Sequence, residues 1–274
     1  MNKMTFKTVL STVAAAVALS ACTMIPKYEQ PQVEVAETFK YDTFDDGIRA
    51  ADLGWQDFFA DPRLHRLIDI ALERNTDLRT AALNAEIYRK QYMIARNDLL
   101  PSINASGTGT RTGSLSGGVT RSEYSVGLGA AAYELDLFGR VRSNSQAALQ
   151  GYFSVAANRD AAHLALIAAV AKAHFNELYA QESMALAQRV LKTREATYKL
   201  SQMRHKAGVI SAVDLRQQEA LIESAKADYA NAVKNREQAR NALATLINQP
   251  LPEDLPAALP LSKQFKITRL PAGL

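Results

Sequence analysis

The first long pattern in the chain is an alternation of mostly apolar residues at spacings of three and four along residues 61–100. This repeat indicates a helix that buries one face against a neighbour. It starts after Asp61 and Pro62, a pair that favours helix initiation because Asp caps backbone amides and Pro fits the first turn. Arg74 breaks the repeat beside a possible second cap, Asn75-Thr76-Asp77, so we predict one helix or a helix split there. The positions on the repeat are Leu64, Leu67, Ala71, Leu78, Ala81, Ala85, Tyr88, Tyr92, Ala95 and Leu99.

The same spacing returns after Gly139 and predicts a much longer helix, from about Ser143 to Lys206. At about 1.5 Å per residue this helix would extend roughly 96 Å, which exceeds the depth of a globular core. Glu177 and Arg194 interrupt its buried face, which indicates that water reaches part of it. The positions on this face are Leu166, Val170, Ala173, Glu177, Ala180, Met184, Ala187, Leu191, Arg194 and Tyr198.

A turn and a third helix follow. Ala207-Gly208 suits a helix stop and Ser211 suits a new cap, so residues 139–247 are predicted to form a long antiparallel helical hairpin. Four prolines within residues 250–260 end the pattern, and residues 248–274 are interpreted as a linker. The buried positions of the returning helix are Leu215, Gln218, Ile222, Ala225, Tyr229, Ala232, Arg236, Ala239, Leu243 and Leu246.

Residues 101–138 change to a period of two around a Gly/Ser-rich loop. We predict two strands, Ser102 to Arg111 and Glu123 to Leu135, of the length that transmembrane barrels use. The first strand fits poorly by itself, and a soluble hairpin or a glycine-rich loop is the alternative. In the second strand, small or polar residues alternate with an apolar face that we expect to contact membrane lipid. The residues of that face are Tyr124, Val126, Leu128 and Ala130.

Together these elements predict a mainly α fold with a small transmembrane β part. Its components are a long antiparallel helical hairpin, as in an α-barrel segment, and a two-stranded β-barrel hairpin. Abundant alanine in the long helices and an aromatic content of only 7% favour extended helices over a compact enzyme core.

The N-terminus has the features of a secretory signal peptide, predicted over residues 1–21. Lys3 and Lys7 form its charged part, and the apolar stretch that follows is too short to span a bilayer. Leu19-Ser20-Ala21-Cys22 resembles a bacterial lipobox, in which the cysteine thiol receives a diacylglycerol. A buried or free thiol is the alternative. Residues 22–60 carry prolines and no sustained apolar period, so we expect an acylated tether there.

Charge and cysteine content narrow the function class. The chain has 32 basic and 28 acidic residues, and removal of Lys3 and Lys7 with the signal peptide leaves 30 against 28, or +2. This balance does not indicate nucleic-acid binding. The single cysteine excludes an intrachain disulfide and a thiolate zinc site.

No combination of residues predicts catalysis, a metal site or a cofactor site, and we expect that the chain is not an enzyme. Glu134 and Asp136 share a strand face, but no nucleophile or base accompanies them. A role at the strand-to-helix junction is therefore favoured for these two acids. The histidines lack metal-ligand spacing and are interpreted as seam or surface residues; they are His65, His163, His174 and His205.

The order of these parts resembles the TolC-type outer-membrane efflux channels over essentially the whole chain. The stretches that carry the resemblance are Gly54-Trp55-Gln56-Asp57-Phe58-Phe59 with Asp61-Pro62, Ala71-Leu72-Glu73-Arg74-Asn75 with Asp77-Leu78, Tyr133-Glu134-Leu135-Asp136-Leu137-Phe138-Gly139-Arg140, and Ala207-Gly208 with Ser211, Asp214 and Leu215. The resemblance implies a homotrimer whose strands form one outer-membrane barrel and whose helices form a hollow periplasmic cylinder.

The resemblance also implies the exit duct of a tripartite multidrug efflux pump, through which drugs and hydrophobic agents pass without chemistry. Its implied partners are outer-membrane lipid, a periplasmic membrane-fusion adaptor and an inner-membrane RND pump. The adaptor would dock at the periplasmic tip of the long helices. The tip residues are Gly208, Ser211, Asp214 and Leu215.

Family members contain the unit of strand hairpin plus helices twice, whereas this chain carries it once. We therefore expect a truncated form that lacks the inner coiled coil and the gating aspartates, which the resemblance places in the second repeat. Its two strands alone would leave unpaired edges in lipid. Two alternatives remain. One is a lipid-anchored periplasmic adaptor or scaffold built on the helical hairpin, and the other is an inactive truncation product.

Overall fold

A computed structural model describes residues 28, 29, 31, 53–113, 120–130, 133 and 136–266. These residues are mainly helical with one two-stranded antiparallel sheet, which confirms the predicted fold class. The predicted signal peptide and the lipobox with Cys22 lie outside the described residues. In chain order the elements are α1 (Trp55–Phe58), α2 (Pro62–Arg74), α3 (Thr76–Asn97), β1 (Ile103–Thr112), β2 (Arg121–Ala130), α4 (Arg140–Lys206), α5 (Ala212–Leu246) and a short 3-10 helix (Leu261–Lys263).

The chain divides into two compact units. The described residues of the strand unit are 28, 29, 31 and those within 82–158, and they include β1 and β2. The described residues of the bundle unit are 53–81 and 159–266. α3 and α4 each contribute residues to both units.

The core of the bundle unit forms where residues of α2, α4 and α5 pack together. α2 starts as its sequence predicts, because Asp61 accepts a hydrogen bond from the Arg63 amide at 2.8 Å and Pro62 is the first helical residue. Burial of each large side chain contributes about 1.5–3 kcal/mol, so this cluster stabilises the unit. The buried cluster comprises Phe59, Leu64, Leu67, Ile68, Ile70, Ala71, Leu166, Ile167, Val170, Ala171, Leu243 and Ile247.

The predicted first helix is split at Asn75, the residue between α2 and α3. Asn75 Oδ1 accepts hydrogen bonds from two amides of the first turn of α3, each at 3.0 Å. Its Nδ2 donates to the Leu246 carbonyl at 3.0 Å, and Asn248 Nδ2 donates in return to the Arg74 carbonyl at 3.3 Å. Each asparagine thus satisfies a carbonyl at the end of the other helix, which fixes the split against the end of α5.

In the bundle unit, α4 and α5 form the predicted antiparallel hairpin. All ten predicted seam positions of α5, and all of those on α4 except Arg194, are buried or half-buried. Far from the turn, Arg240 of α5 lies 4.0 Å from Glu177 of α4. Nearer the turn, a hydrogen bond to Glu223 raises the pKa of Lys226, and the charge of Glu195 on α4 adds to it. None of the described helices combines the length and apolarity needed to cross a bilayer.

In the strand unit, β1 and β2 form the predicted hairpin with different boundaries. β2 starts at Arg121, two residues earlier than predicted, and ends at Ala130. Tyr133 falls inside the predicted strand but outside the observed one. Its hydroxyl donates to the Leu99 carbonyl at 3.1 Å, which ties this residue to the chain after α3 instead of to a partner strand.

The start of α4 also differs, because the helix begins at Arg140 and not near Ser143. Gly139 takes a φ of +77° and turns the chain. Asp136 then accepts hydrogen bonds from the amides of Val141 at 3.3 Å and Arg142 at 2.9 Å. These bonds satisfy the first amides of the helix, so Asp136 acts at the strand-to-helix junction; its predicted companion Glu134 lies outside the described residues.

Candidate functional site

The register of the β-hairpin sorts its residues into two chemically different faces. Directly paired residues of an antiparallel sheet point to the same side, and the pairs run from Ile103 with Ala130 to Thr112 with Arg121. We call the two sides the apolar face and the polar face. The apolar face comprises Ile103, Ala105, Gly107, Gly109, Tyr124, Val126, Leu128 and Ala130, with the pair Arg111 and Ser122 at its turn end, and the polar face comprises Asn104, Ser106, Thr108, Thr110, Thr112, Arg121, Glu123, Ser125, Gly127 and Gly129.

The pairing explains why β1 has a weak pattern by itself. On the apolar face, small residues of β1 lie opposite the large residues of β2, as Gly107 lies opposite Val126 and Gly109 opposite Tyr124. A Cβ placed on Gly109 would lie 3.2 Å from the Tyr124 ring, so the ring covers this glycine. Cover of a strand glycine by a cross-strand aromatic ring is a known means of stabilising such pairs.

The apolar face is fully open in the described residues. Tyr124, Val126 and Leu128 are 82%, 89% and 80% exposed. In the described part of the chain, β1 and β2 pair only with each other, so both outer edges of the sheet also lack partners. Exposure of this apolar surface and of the unpaired edges to water is unfavourable. An environment with lipid against the apolar face and water against the polar face suits the hairpin.

The turn between α4 and α5 is the second candidate surface, and Gly208 makes it possible. Gly208 has a φ of +73°, where a residue with a side chain is strained. Its amide donates to the His205 carbonyl and the Val209 amide donates to the Arg204 carbonyl, each at 2.9 Å. These two bonds satisfy the last carbonyls of α4 and close the helix. His205 Nδ1 also lies 3.0 Å from the Ile210 carbonyl oxygen across the turn.

A capping box starts α5 at the same turn. Ser211 Oγ accepts from the Asp214 amide and Asp214 Oδ2 accepts from the Ser211 amide, both at 3.1 Å. The hydrogen bonds from Ser211 lower the pKa of Asp214, which keeps a negative charge at the helix N-terminus. Leu215 is half-buried in the seam. The apolar side chains of Val209 and Val213 were not predicted as part of this surface, and they are 67% and 66% exposed.

A buried polar cluster in the bundle unit was also missed. Asp61, interpreted only as a helix cap, is fully buried beside His174. Its Oδ2 accepts hydrogen bonds from His174 Nε2 at 3.0 Å, Gln264 Nε2 at 2.9 Å and the Leu259 amide at 3.0 Å. Burial would raise the pKa of Asp61, but these bonds and one from the Arg63 amide lower it from 3.8 to about 2. The charged carboxylate therefore joins α2, α4 and the segment after α5.

Glu177 lies one turn from His174 on α4, and the prediction that water reaches this part of the seam is wrong. Glu177 is only 4% exposed. Its Oε1 lies 3.6 Å from Arg63 Nη2 and 4.0 Å from Arg240 Nε, so two cations take the place of solvent. Arg194, in contrast, is exposed as predicted.

The other described residues with catalytic or metal-binding side chains do not form a cluster. The described residues contain no group of three or more His, Cys, Asp or Glu side chains that could hold a metal ion. His65 Nε2 lies 2.9 Å from the Phe59 carbonyl oxygen, and His174 and His205 have the separate contacts given above. Each of these three histidines thus contacts its own structural partner.

Comparison with known proteins identifies the family. Residues 67–249 match the family described as outer membrane efflux protein. The toluene efflux pump outer membrane protein TtgC of Pseudomonas putida is 38% identical over 282 residues, which cover 98% of this chain and 57% of TtgC. The cation efflux system protein CusC of Escherichia coli is 33% identical over 266 residues, which cover 94% of this chain and 57% of CusC.

Solved structures agree with the sequence comparison. The open state of the MtrE outer membrane channel of Neisseria gonorrhoeae is 70% identical to this chain, with a TM-score of 0.77 over 92% of this chain and 57% of MtrE. The chain thus spans a little more than half the length of each of these relatives. Because the family match covers most of its residues, the chain belongs to the outer membrane efflux protein family.

Proposed function

We propose that this chain forms part of the outer-membrane channel of a tripartite efflux pump, a passive exit duct for drugs and hydrophobic agents. The observation that carries this proposal is the two-faced hairpin. Its apolar face suits membrane lipid, and its polar face, which carries hydroxyl-bearing, small and charged residues, suits a water-filled lumen. The helices α4 and α5 would extend into the periplasm.

The proposed location is the outer membrane, with residues 1–21 removed and Cys22 acylated. The lipobox sequence supports this anchor, and residues 22–60 would tether it to the rest of the chain. One acyl chain binds a membrane only marginally, so a strand hairpin in lipid would complement the anchor. Residues 248–274 would then connect the helical hairpin to further parts of the channel.

We propose the turn between α4 and α5 as the docking site for a periplasmic membrane-fusion adaptor, with an inner-membrane RND pump below it. The turn is rigid because a helix-ending motif at Gly208 and a capping box at Ser211 and Asp214 fix both of its sides. Exposed Val209 and Val213 add an apolar contact surface. Rigid, partly apolar surfaces lose little entropy on binding.

We propose the substrate class from the names of relatives, which mention a hydrophobic compound and antibiotics. TtgC is described as a toluene efflux pump protein, and ArpC of Pseudomonas putida, also 38% identical, as an antibiotic efflux pump protein. The chain would act without a cofactor and without chemistry on the cargo. We propose homotrimeric assembly for the channel as a whole. The matching residues make up a little more than half the length of each relative.

The experiment that tests this proposal starts with a Cys22→Ser variant, which removes the acyl anchor. A hairpin that lies in lipid predicts that the variant still sediments with outer membranes and requires detergent for extraction. A variant recovered in the soluble periplasmic fraction would contradict the channel and favour the lipid-anchored adaptor or scaffold.

The wild-type chain is then expressed in cells that lack their efflux channel, and accumulation of a hydrophobic fluorescent dye is followed. An immunoblot of the outer-membrane fraction shows that the chain is present. Restored efflux would demonstrate that these residues conduct by themselves. A chain that reaches the outer membrane without efflux would limit its role to one part of the duct, and a chain that is degraded would support the inactive product.

A further inference from the structure

One charged residue lies on the side of the hairpin that otherwise forms the apolar face. Arg111 pairs directly with Ser122, and this pair follows Gly109 with Tyr124 on the same side of the sheet. On this side of the sheet, four pairs of apolar or small residues precede the pair of Arg111 and Ser122. The Arg111 pair is the last one on this side before the turn. The position of Arg111 is thus fixed by the register and not by the length of its side chain.

The charges near the turn are separated by face. Within β1 and β2, the acidic residue Glu123 lies opposite Thr110 on the polar face, together with Arg121. On the other side, Arg111 is the charged residue that these strands supply. The side that suits lipid is therefore purely basic at this end, whereas the polar face carries both signs.

The distance along the strand places Arg111 at the boundary of the apolar band. From Ile103 to Arg111, eight steps of about 3.3 Å give about 26 Å, and strand tilt reduces the depth below this value. The apolar band of a membrane β-barrel is about 25 Å tall. A basic residue on the lipid side is unfavourable at mid-depth but tolerated at the boundary, where its long side chain reaches the headgroups.

Tyr124 marks the same boundary from the apolar side. Its ring covers Gly109, one pair before Arg111. Tyrosine at a membrane interface combines an apolar ring with a hydroxyl that contacts water and headgroups. The adjacent guanidinium presents a planar donor group that matches phosphate oxygens.

We infer that Arg111 and Tyr124 form a headgroup-binding site on the lipid side of the hairpin, at its turn end, and that its ligand is the phosphate of anionic membrane lipid. This inference rests on the proposed function, because it requires the apolar face to contact lipid. It adds a partner that the helical tip does not supply. Arg111 sets the depth of the hairpin by holding it at the headgroup layer.

The test compares Arg111→Gln with Arg121→Gln, which removes the same charge one pair nearer the turn and on the polar face. The full chain carries Cys22→Ser in every case, so that no acyl group contributes. Each variant is mixed with vesicles of phosphatidylcholine alone or with phosphatidylglycerol added, and the bound fraction is measured by flotation. We expect the preference for anionic vesicles to fall about fivefold for Arg111→Gln and to stay near the wild-type value for Arg121→Gln.

The outcomes separate this inference from the proposed function. If Arg111→Gln keeps the wild-type preference, or if both variants lose it equally, the headgroup site is wrong while the hairpin still binds lipid. If no variant floats with either vesicle, the apolar face does not contact lipid, and the proposed membrane role fails together with the site.

Discussion

His174 Nε2 lies 3.0 Å from Asp61 Oδ2 with both side chains fully buried, although 113 residues separate them in the chain. The contact joins the start of α2 to the middle of α4. Since Gln264 and the Leu259 amide bind the same carboxylate oxygen, the segment after α5 is held at this point as well. One carboxylate therefore fixes three parts of the bundle unit, and its removal should affect all of them.

Asp61→Asn should destabilise the bundle unit by about 3 kcal/mol. Asn keeps an oxygen for the Arg63 amide, but its amino group would face the donors of His174 and Gln264 and leave them unsatisfied. Chemical denaturation followed by circular dichroism measures the loss. Asp69→Asn is the matched control, because Asp69 is exposed on the same helix and its change should stay within about 0.5 kcal/mol. Equal stability of the two variants would show that the buried cluster contributes nothing.

The same carboxylate predicts an acid-sensitive step. The pKa of Asp61 is about 2 in the folded chain against an ordinary value of 3.8, so its charged form is favoured by folding. The resulting stability, about 2 kcal/mol, is fully present above pH 3.8 and is lost as the pH falls through 2. Denaturation midpoints measured across this range should fall for the wild type. If the denaturation midpoint of Asp61→Asn falls by a comparable amount over the same pH range, the effect belongs to other acidic residues.

Gly208→Ala should cost about 1–2 kcal/mol, because φ is +73° there and a side chain is strained. Nothing lies within 4 Å of a Cβ at this position, so the loss would report the backbone alone. Gly151→Ala is a control of opposite sign. Gly151 lies inside α4, and a Cβ added there would lie 3.7 Å from the Tyr88 ring, an ordinary contact, so alanine should stabilise by about 0.5–1 kcal/mol. Thermal unfolding of both variants tests the pair, and a neutral Gly208→Ala would remove the strain argument.

The sequence predicts those parts of the fold that local patterns determine. The split at Asn75, the cap at Asp61 and the turn at Gly208 each depend on a residue whose own backbone or side chain makes the feature. The two seams were also predictable, because spacings of three and four keep Ile222 and Val170 on a buried face. These features need no knowledge of which segments meet.

The parts that were missed depend on contacts between distant segments. Glu177 interrupts an apolar seam and was expected to contact water. Arg63 of α2 and Arg240 of α5 lie beside it, and their charges allow its burial. The cluster around Asp61 likewise needs residues that lie more than 100 positions away. The weak first strand became interpretable only when its register placed Gly109 opposite Tyr124. Single-chain periodicity contains none of this information.

The two faces of β2 give a direct test of which side contacts lipid. Val126→Lys places a charge in the middle of the apolar face, where a lipid-facing basic residue costs about 2–4 kcal/mol. Ser125→Lys places the same charge on the adjacent residue, which points to the polar face and should be tolerated if that face meets water. The measurement is the amount of each variant in the outer-membrane fraction relative to total protein, with Cys22→Ser present so that an acyl anchor does not retain the chain. We expect a strong loss for Val126→Lys alone. The reverse order would mean that the polar face lies against lipid, which would invert the proposed orientation of the hairpin; equal loss would mean that both faces are buried by protein.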